Sequence, residues 1–190
     1  MRSPDAGHPS SPVADSDRRT TVLDAALTTF ARFGYRKTSM EAVAQAARIS
    51  RPGLYFLFSS KEALFRAAVT QALERDIAAV EHVLADTGRP LPERLLEAFD
   101  QWAGRYVGPL TRDVAEVIEA NPELLGETAE TAPRRFEELV TDAIAAEAGR
   151  DAAPAVAQTM ISTSIGLKHQ APSREFFLAR LKVAIDLLTR

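Results

Sequence analysis

Ile49 to Phe65 reads ISRPGLYFLFSSKEALF, and the fold turns on how this stretch is read. Pro-Gly normally marks a turn, and Leu-Tyr-Phe-Leu-Phe alone could be a strand. The flanking residues favour a helix. Ser50 can cap one, and Pro52 then falls in its first turn, where a missing N–H loses nothing. Ser59-Ser60-Lys61-Glu62 has the spacing of a capping box, with Ser59 as the cap and Glu62 three residues on. A short helix therefore lies between two helix starts, with Leu54, Phe58 and Leu57 toward a core. A longer helix comes next, from about Ser60 to Leu84.

Upstream, Arg18 to Phe33 has helical periodicity, with Val22, Ala26, Phe30 and Phe33 on one stripe. Gly34 ends that helix in the left-handed conformation. Thr38 to Glu41 form another capping box, in which the Thr38 hydroxyl accepts from the Glu41 amide. A second helix runs to about Ala47, with Met40, Val43, Ala44 and Ala47 inward. Arg48-Ile49 is a brief turn into the helix capped by Ser50. The result is a helix-turn-helix unit. Residues 1–17 are rich in Pro, Ser, Asp and Gly and are expected to form a disordered tail, with Ser16 or Asp17 capping the first helix.

The 190-residue chain is 46% hydrophobic and 26% charged, the ordinary balance of a soluble globular protein. It has no cysteine, which excludes disulfides and thiolate metal sites. Histidines occur only at 8, 82 and 169, too few and too scattered for a histidine-rich metal site. No apolar run is long enough for a membrane span, and no apolar signal core opens the chain, so the expected compartment is the cytoplasm. No cofactor is expected. The formal net charge is −3, but it is unevenly spread. Residues 18–66 hold nine Lys/Arg against three Asp/Glu, a balance of +6, while residues 67–190 hold 13 against 20, a balance of −7. A basic third on an acidic body points to a polyanion-binding module carried by a different domain.

A helix-turn-helix reads DNA by laying its second helix in the major groove, N-terminal residues toward the bases. Arg51 can offer guanine a bidentate fork. Gly53 lets the backbone come close. Tyr55 lies one turn on, toward solvent, with its hydroxyl in reach of a phosphate. Lys61 opens the next helix, where orphan N–H groups also attract phosphate. Lys37 and Thr38 hold the same place on the preceding helix. Arg18 and Arg19 begin the first helix, near the duplex flank.

The run Gly34-Tyr35, Thr38-Ser39-Met40, Val43-Ala44, Ala47-Arg48-Ile49-Ser50, Gly53-Leu54-Tyr55, Phe58, Ser60-Lys61-Glu62 and Leu64 resembles the DNA-binding signature of the TetR family of transcriptional regulators. The resemblance covers Arg18 to Ala68. It implies an all-α homodimer with three DNA-binding helices and a fourth leading to a larger ligand-binding domain. It further implies a repressor released from a palindromic double-stranded operator by a small hydrophobic ligand. It assigns DNA contacts to Thr38, to Ser50, Arg51, Pro52, Gly53, Leu54 and Tyr55, and to Lys61. The chain departs from the family in three places. Arg48 stands where the turn usually has Gly; the expectations are that it accepts positive φ at some strain, that the turn is built differently, or that it adds a phosphate contact. Leu57 replaces an aromatic or His, and Pro52 replaces a Gly.

Beyond Ala85 the pattern stays helical and is less informative. Helices are expected over Leu91 to about Val107, 111–120, Pro133–Ala148, Ala153 to about Lys168 and Ser173–Leu188, the fourth rich in small residues. Phe99, Trp102 and Tyr106 fall on one face at helical spacing. They read as core, or as the wall of a ligand pocket. Ala155, Ala157, Ser162, Thr163, Ser164 and Gly166, with the Phe177-Leu181-Ala184-Leu188 stripe, suggest that the last two helices form the dimer bundle. The expected domains are a tail (1–17), a DNA-binding domain (18–66) and a ligand-binding and dimerisation domain (67–190). No catalytic constellation appears. An all-α enzyme and a DNA-bound adaptor without a small ligand stay open as other readings.

Overall fold

The computed structural model describes residues 12–108, 117–118, 125–149 and 151–189. Among them are eight α-helices and no strand. The helices are α1 (Pro12–Phe33), α2 (Met40–Ala46), α3 (Arg51–Leu57), α4 (Lys61–Ala85), α5 (Leu91–Trp102), α6 (Thr128–Ala148), α7 (Ala153–Gln170) and α8 (Arg174–Leu188), with a 3-10 turn over Gly104–Tyr106. The helix expected over 111–120 lies outside the described residues except for 117–118, which are helical. The chain divides between Ala68 and Val69 into two compact units.

In the first unit, Val22, Leu23, Ala26 and Phe30 of α1 are buried, as the periodicity requires. Phe30, Tyr35 and Phe65 form a ring cluster, with Phe30–Phe65 and Tyr35–Phe65 edge contacts at 5.2 and 4.8 Å. Each buried phenylalanine contributes about 2–3 kcal/mol of apolar burial. Gly34 takes φ 80°, and its N–H still donates to the Phe30 carbonyl. Phe33 corrects the expected stripe: it is the last residue of α1 and is 51% exposed, with the Arg32 guanidinium 5.1 Å above its ring.

Two helix starts differ by one residue from the expectation. Ser39, not Thr38, caps α2, its Oγ accepting from the Ala42 N–H at 3.1 Å. Thr38 is buried, and its hydroxyl donates to the Gly34 carbonyl at 2.8 Å and the Thr29 carbonyl at 3.4 Å. It bonds to the last turns of α1 and the residue just past it instead of capping α2. Ser60, not Ser59, caps α4, accepting from the Ala63 N–H at 3.1 Å. The third helix start falls where expected: Ser50 accepts from the Gly53 N–H at 3.1 Å, with Pro52 in the first turn. The expected tail is also shorter, because α1 starts at Pro12 and runs through Ser16 and Asp17; residues 1–11 lie outside the described residues.

In the second unit, α5, α6, α7 and α8 pack around Leu95, Phe99, Phe136, Val140, Met160, Phe177, Leu181 and Ile185. Two charged side chains are buried there, each paired with a partner that reaches the surface. Arg94 is 2% exposed and donates to the Leu84 and Arg89 carbonyls at 2.7 and 3.0 Å, and it pairs with Glu147. It closes the turn between α4 and α5 and ties it to α6. Asp76 of α4 is fully buried and accepts from Arg105 at 2.8 Å and from the Tyr106 hydroxyl. Burial pushes the Asp76 carboxyl above its ordinary value, opposed by the Tyr106 and Arg105 bonds. Burial first, then the bond to Asp76, raises the Tyr106 hydroxyl.

Candidate nucleic-acid interface

Leu54 and Phe58 are 0% and 4% exposed, so they seat α3 on its own unit. This corrects the assignment of Leu54 to a DNA contact. With the helix fixed that way, Arg51, Pro52, Tyr55 and Phe56 form its outward face. Gly53 has a local reason to be glycine, since a Cβ there would sit 3.1 Å from the Ser50 cap oxygen. Arg51 and Tyr55 make one strip of the face: the guanidinium lies 5.6 Å from the Tyr55 ring centre and 3.7 Å from Glu41. Pro52 and Phe56 make the other strip. Phe56 is 90% exposed, and no motif in the sequence singles it out. A signal exists all the same, because position 56 falls well away from the Leu54–Phe58 seam on a helical wheel.

The turn before α3 explains Arg48. The Ile49 N–H donates to the Ala44 carbonyl at 3.0 Å and the Arg48 N–H to the Gln45 carbonyl at 3.1 Å. This paired closure of a helix end needs a left-handed residue, usually Gly. Arg48 takes φ 55°, and it is the single positive-φ residue other than Gly among the described residues. The expected strain is therefore real, of order 1 kcal/mol. Arg48 is exposed and has no side-chain partner among the described residues. Arg36 and Lys37, in the turn before α2, are likewise exposed and unpaired. Beside them, Arg32, Phe33, Lys37, Thr38 and Ala42 line an open cleft of about 440 Å³.

Lys61 and Thr38 depart from the expectation of phosphate contacts. The Lys61 ammonium donates to the Tyr35 and Thr38 carbonyls at 3.1 and 3.2 Å and lies 4.5 Å from the Tyr35 ring centre. It ties the first turn of α4 to the turn between α1 and α2. Burial, then the nearby Glu62 charge, raises the Tyr35 hydroxyl. Thr38 has turned its hydroxyl inward and is 3% exposed. Arg19 is also engaged, 4.5 Å from the Phe58 ring centre.

The aromatic set of the second unit does not share one helix face. The α5 helix ends at Trp102, and Tyr106 sits on the 3-10 turn beyond it. Phe99 is fully buried edge-on to Phe136 at 5.1 Å, and Trp102 stacks on the same ring at 4.9 Å. The polar end of Tyr106 is taken by Asp76. Among the described residues no group of His, Cys, Asp or Glu could hold a metal ion.

Comparison with known proteins bears on this architecture. The family profile described as "Bacterial regulatory proteins, tetR family" matches residues 22–68. The HTH-type transcriptional regulator RutR of Escherichia coli K12 is 41% identical over 61 residues, 32% of this chain and 29% of RutR. The uncharacterised HTH-type regulator YfiR of Bacillus subtilis 168 is 32% identical over 129 residues, 65% of this chain and 51% of YfiR. The chain thus matches about a third to a half of these relatives' lengths. The fold match is broader. A TetR transcription regulator from Haloarcula marismortui aligns over 92% of this chain and 97% of its own, with TM-score 0.73 and 16% identity. A TetR transcriptional regulator from Legionella pneumophila aligns over 95% and 98%, with TM-score 0.69 and 19% identity. The profile thus identifies residues 22–68 as a DNA-binding domain of the tetR family, and the chain as a whole shares the fold of these solved regulators.

Proposed function

We propose that the chain is a DNA-binding transcriptional repressor that acts as a homodimer and leaves a palindromic operator when a small hydrophobic ligand binds. Its role is regulatory, not enzymatic, and its place is the cytoplasm. The observation that carries the DNA reading is the outward face of α3, held by a capped and seated helix in a unit where the cations Arg36, Lys37 and Arg48 have no partner among the described residues. Arg51 and Tyr55 are the base and phosphate contacts of that face, supported by Ser50, Pro52 and Gly53 at the helix start. Arg48 adds a phosphate contact that a Gly at the turn could not make.

Dimerisation through α7 and α8 has its own support. Ile165, Phe176, Val183 and Leu187 on these helices are 55%, 44%, 57% and 59% exposed, an apolar surface a partner would cover. For the ligand, the open members of the aromatic set are Trp102 and Tyr106, both part-exposed. Among the described residues, no helix is long and apolar enough to cross a membrane.

Selection of the full-length protein against random duplexes tests the reading. A palindromic consensus is expected, with half-sites about one helical turn (~34 Å) apart or further. Affinity for it should fall with salt at a slope of about −0.9 per neutralised phosphate. Binding without sequence enrichment and without salt dependence would refute it.

A further inference from the structure

We infer that Pro52 and Phe56 form an apolar reader on α3 that recognises the 5-methyl groups of thymine in the operator half-site. The inference rests on the DNA-binding reading and extends it from affinity to sequence preference. The starting observation is that Phe56 is 90% exposed, the most exposed large apolar side chain among the described residues. Its ring contributes nothing to the core of its unit, which Leu54 and Phe58 of the same stretch already serve.

The place of the ring selects the partner. Pro52 and Phe56 are four residues apart and so lie along one strip of α3, beside the Arg51–Tyr55 strip. Neither side chain can donate or accept a hydrogen bond, and Pro52 lacks even a backbone N–H. Such a strip cannot read the donor and acceptor pattern of base edges. The one apolar feature the major groove offers is the thymine methyl. The charges of the unit agree with a polyanion as the occupant: Arg36, Lys37 and Arg48 are exposed and unpaired among the described residues. The face is thus divided between a strip that hydrogen-bonds, through Arg51 and Tyr55, and a strip that senses methyl groups. The selected half-site should place a guanine and one or more thymines at neighbouring base pairs.

The test uses the full-length protein and the consensus duplex obtained by selection from random sequences. Affinity is measured at fixed salt for that duplex and for copies in which deoxyuridine replaces thymidine one position at a time, which removes only the methyl. Wild-type protein is expected to lose about fourfold at each contacted methyl, the loss of one buried methyl-sized group. Phe56→Ser should lose the deoxyuridine penalty at the position its ring covers and keep at most the one under Pro52, with its thermal midpoint unchanged because the ring is exposed. Equal wild-type affinity for both kinds of duplex would overturn the inference while leaving DNA binding intact. Deoxyuridine penalties that stay at wild-type size at every position in Phe56→Ser would also overturn the role of this strip. If selection enriches no sequence at all, the DNA-binding reading itself falls, and this one with it.

Discussion

In the unit beyond Val69, Arg94, Arg105, Arg135 and Arg174 each end on a carboxylate, of Glu147, Asp76, Glu81 and Asp100. In the unit before it, Arg36, Lys37 and Arg48 are exposed and have no partner among the described residues, and Lys61 ends on backbone carbonyls. The same residue types thus do different work. In the second unit a guanidinium organises helix ends and inter-helix contacts, and its charge is used up inside the protein. In the first the charge is left over. Leftover charge stabilises nothing in the free protein, and self-repulsion makes it mildly costly. It becomes useful when a polyanion supplies the missing partner.

The sharpest way to break this comparison is Arg94→Ala. If the buried guanidinium is structural, its loss leaves the Leu84 and Arg89 carbonyls without their donor and should cost about 3 kcal/mol of stability. Urea unfolding measures it. Glu147→Gln should cost much less, since the Glu147 side chain is 44% exposed.

Lys61 tests the comparison from the other side, because its position suggests leftover charge and its contacts say otherwise. Lys61→Met should lower stability by about 1–2 kcal/mol and weaken DNA binding without changing the salt slope. Arg48→Gly should do the reverse. Relief of the left-handed strain raises stability by about 1 kcal/mol, while the salt slope falls by about 0.9. Paired thermal melts and salt titrations of the two variants separate the classes; a changed slope for Lys61→Met would return that residue to the phosphate contacts.

The smallest expected effect concerns Asp76. Its folded carboxyl binds protons more readily than its unfolded one, so the native state holds more protons in the window just above the ordinary carboxylate value of about 4. Stability from this group therefore falls as pH rises through that window. Asp76→Asn should flatten the fall in a pH series of melting temperatures.

Most of the first unit is legible in the sequence because its signals are local. Ser50, Pro52 and Gly34 act within a few residues of themselves, and each sits where the spacing places it. Thr38 and Ser39, or Ser59 and Ser60, are adjacent and equally able to cap. For Thr38 the choice is made by a group outside the capping box, the Gly34 carbonyl. Lys61 misleads for a related reason: its partners, Tyr35 and Thr38, lie 26 and 23 residues away. Pro12 followed by acidic residues is a helix start that a Pro- and Ser-rich composition hides. In the second unit, α5 ends early, at Ala103 and Gly104, and this separates Tyr106 from the helix of Phe99 and Trp102.

The stacking of Trp102 on Phe136 has a practical consequence. Trp102 is the only tryptophan of the chain, and it belongs to the second unit. Its emission is therefore a private signal of that unit, and the ring under it should make that signal sensitive to loosening of α5 against α6. Set beside the far-ultraviolet dichroism of all the helices, it would show in one tube whether the second unit melts with the rest of the chain, without any label.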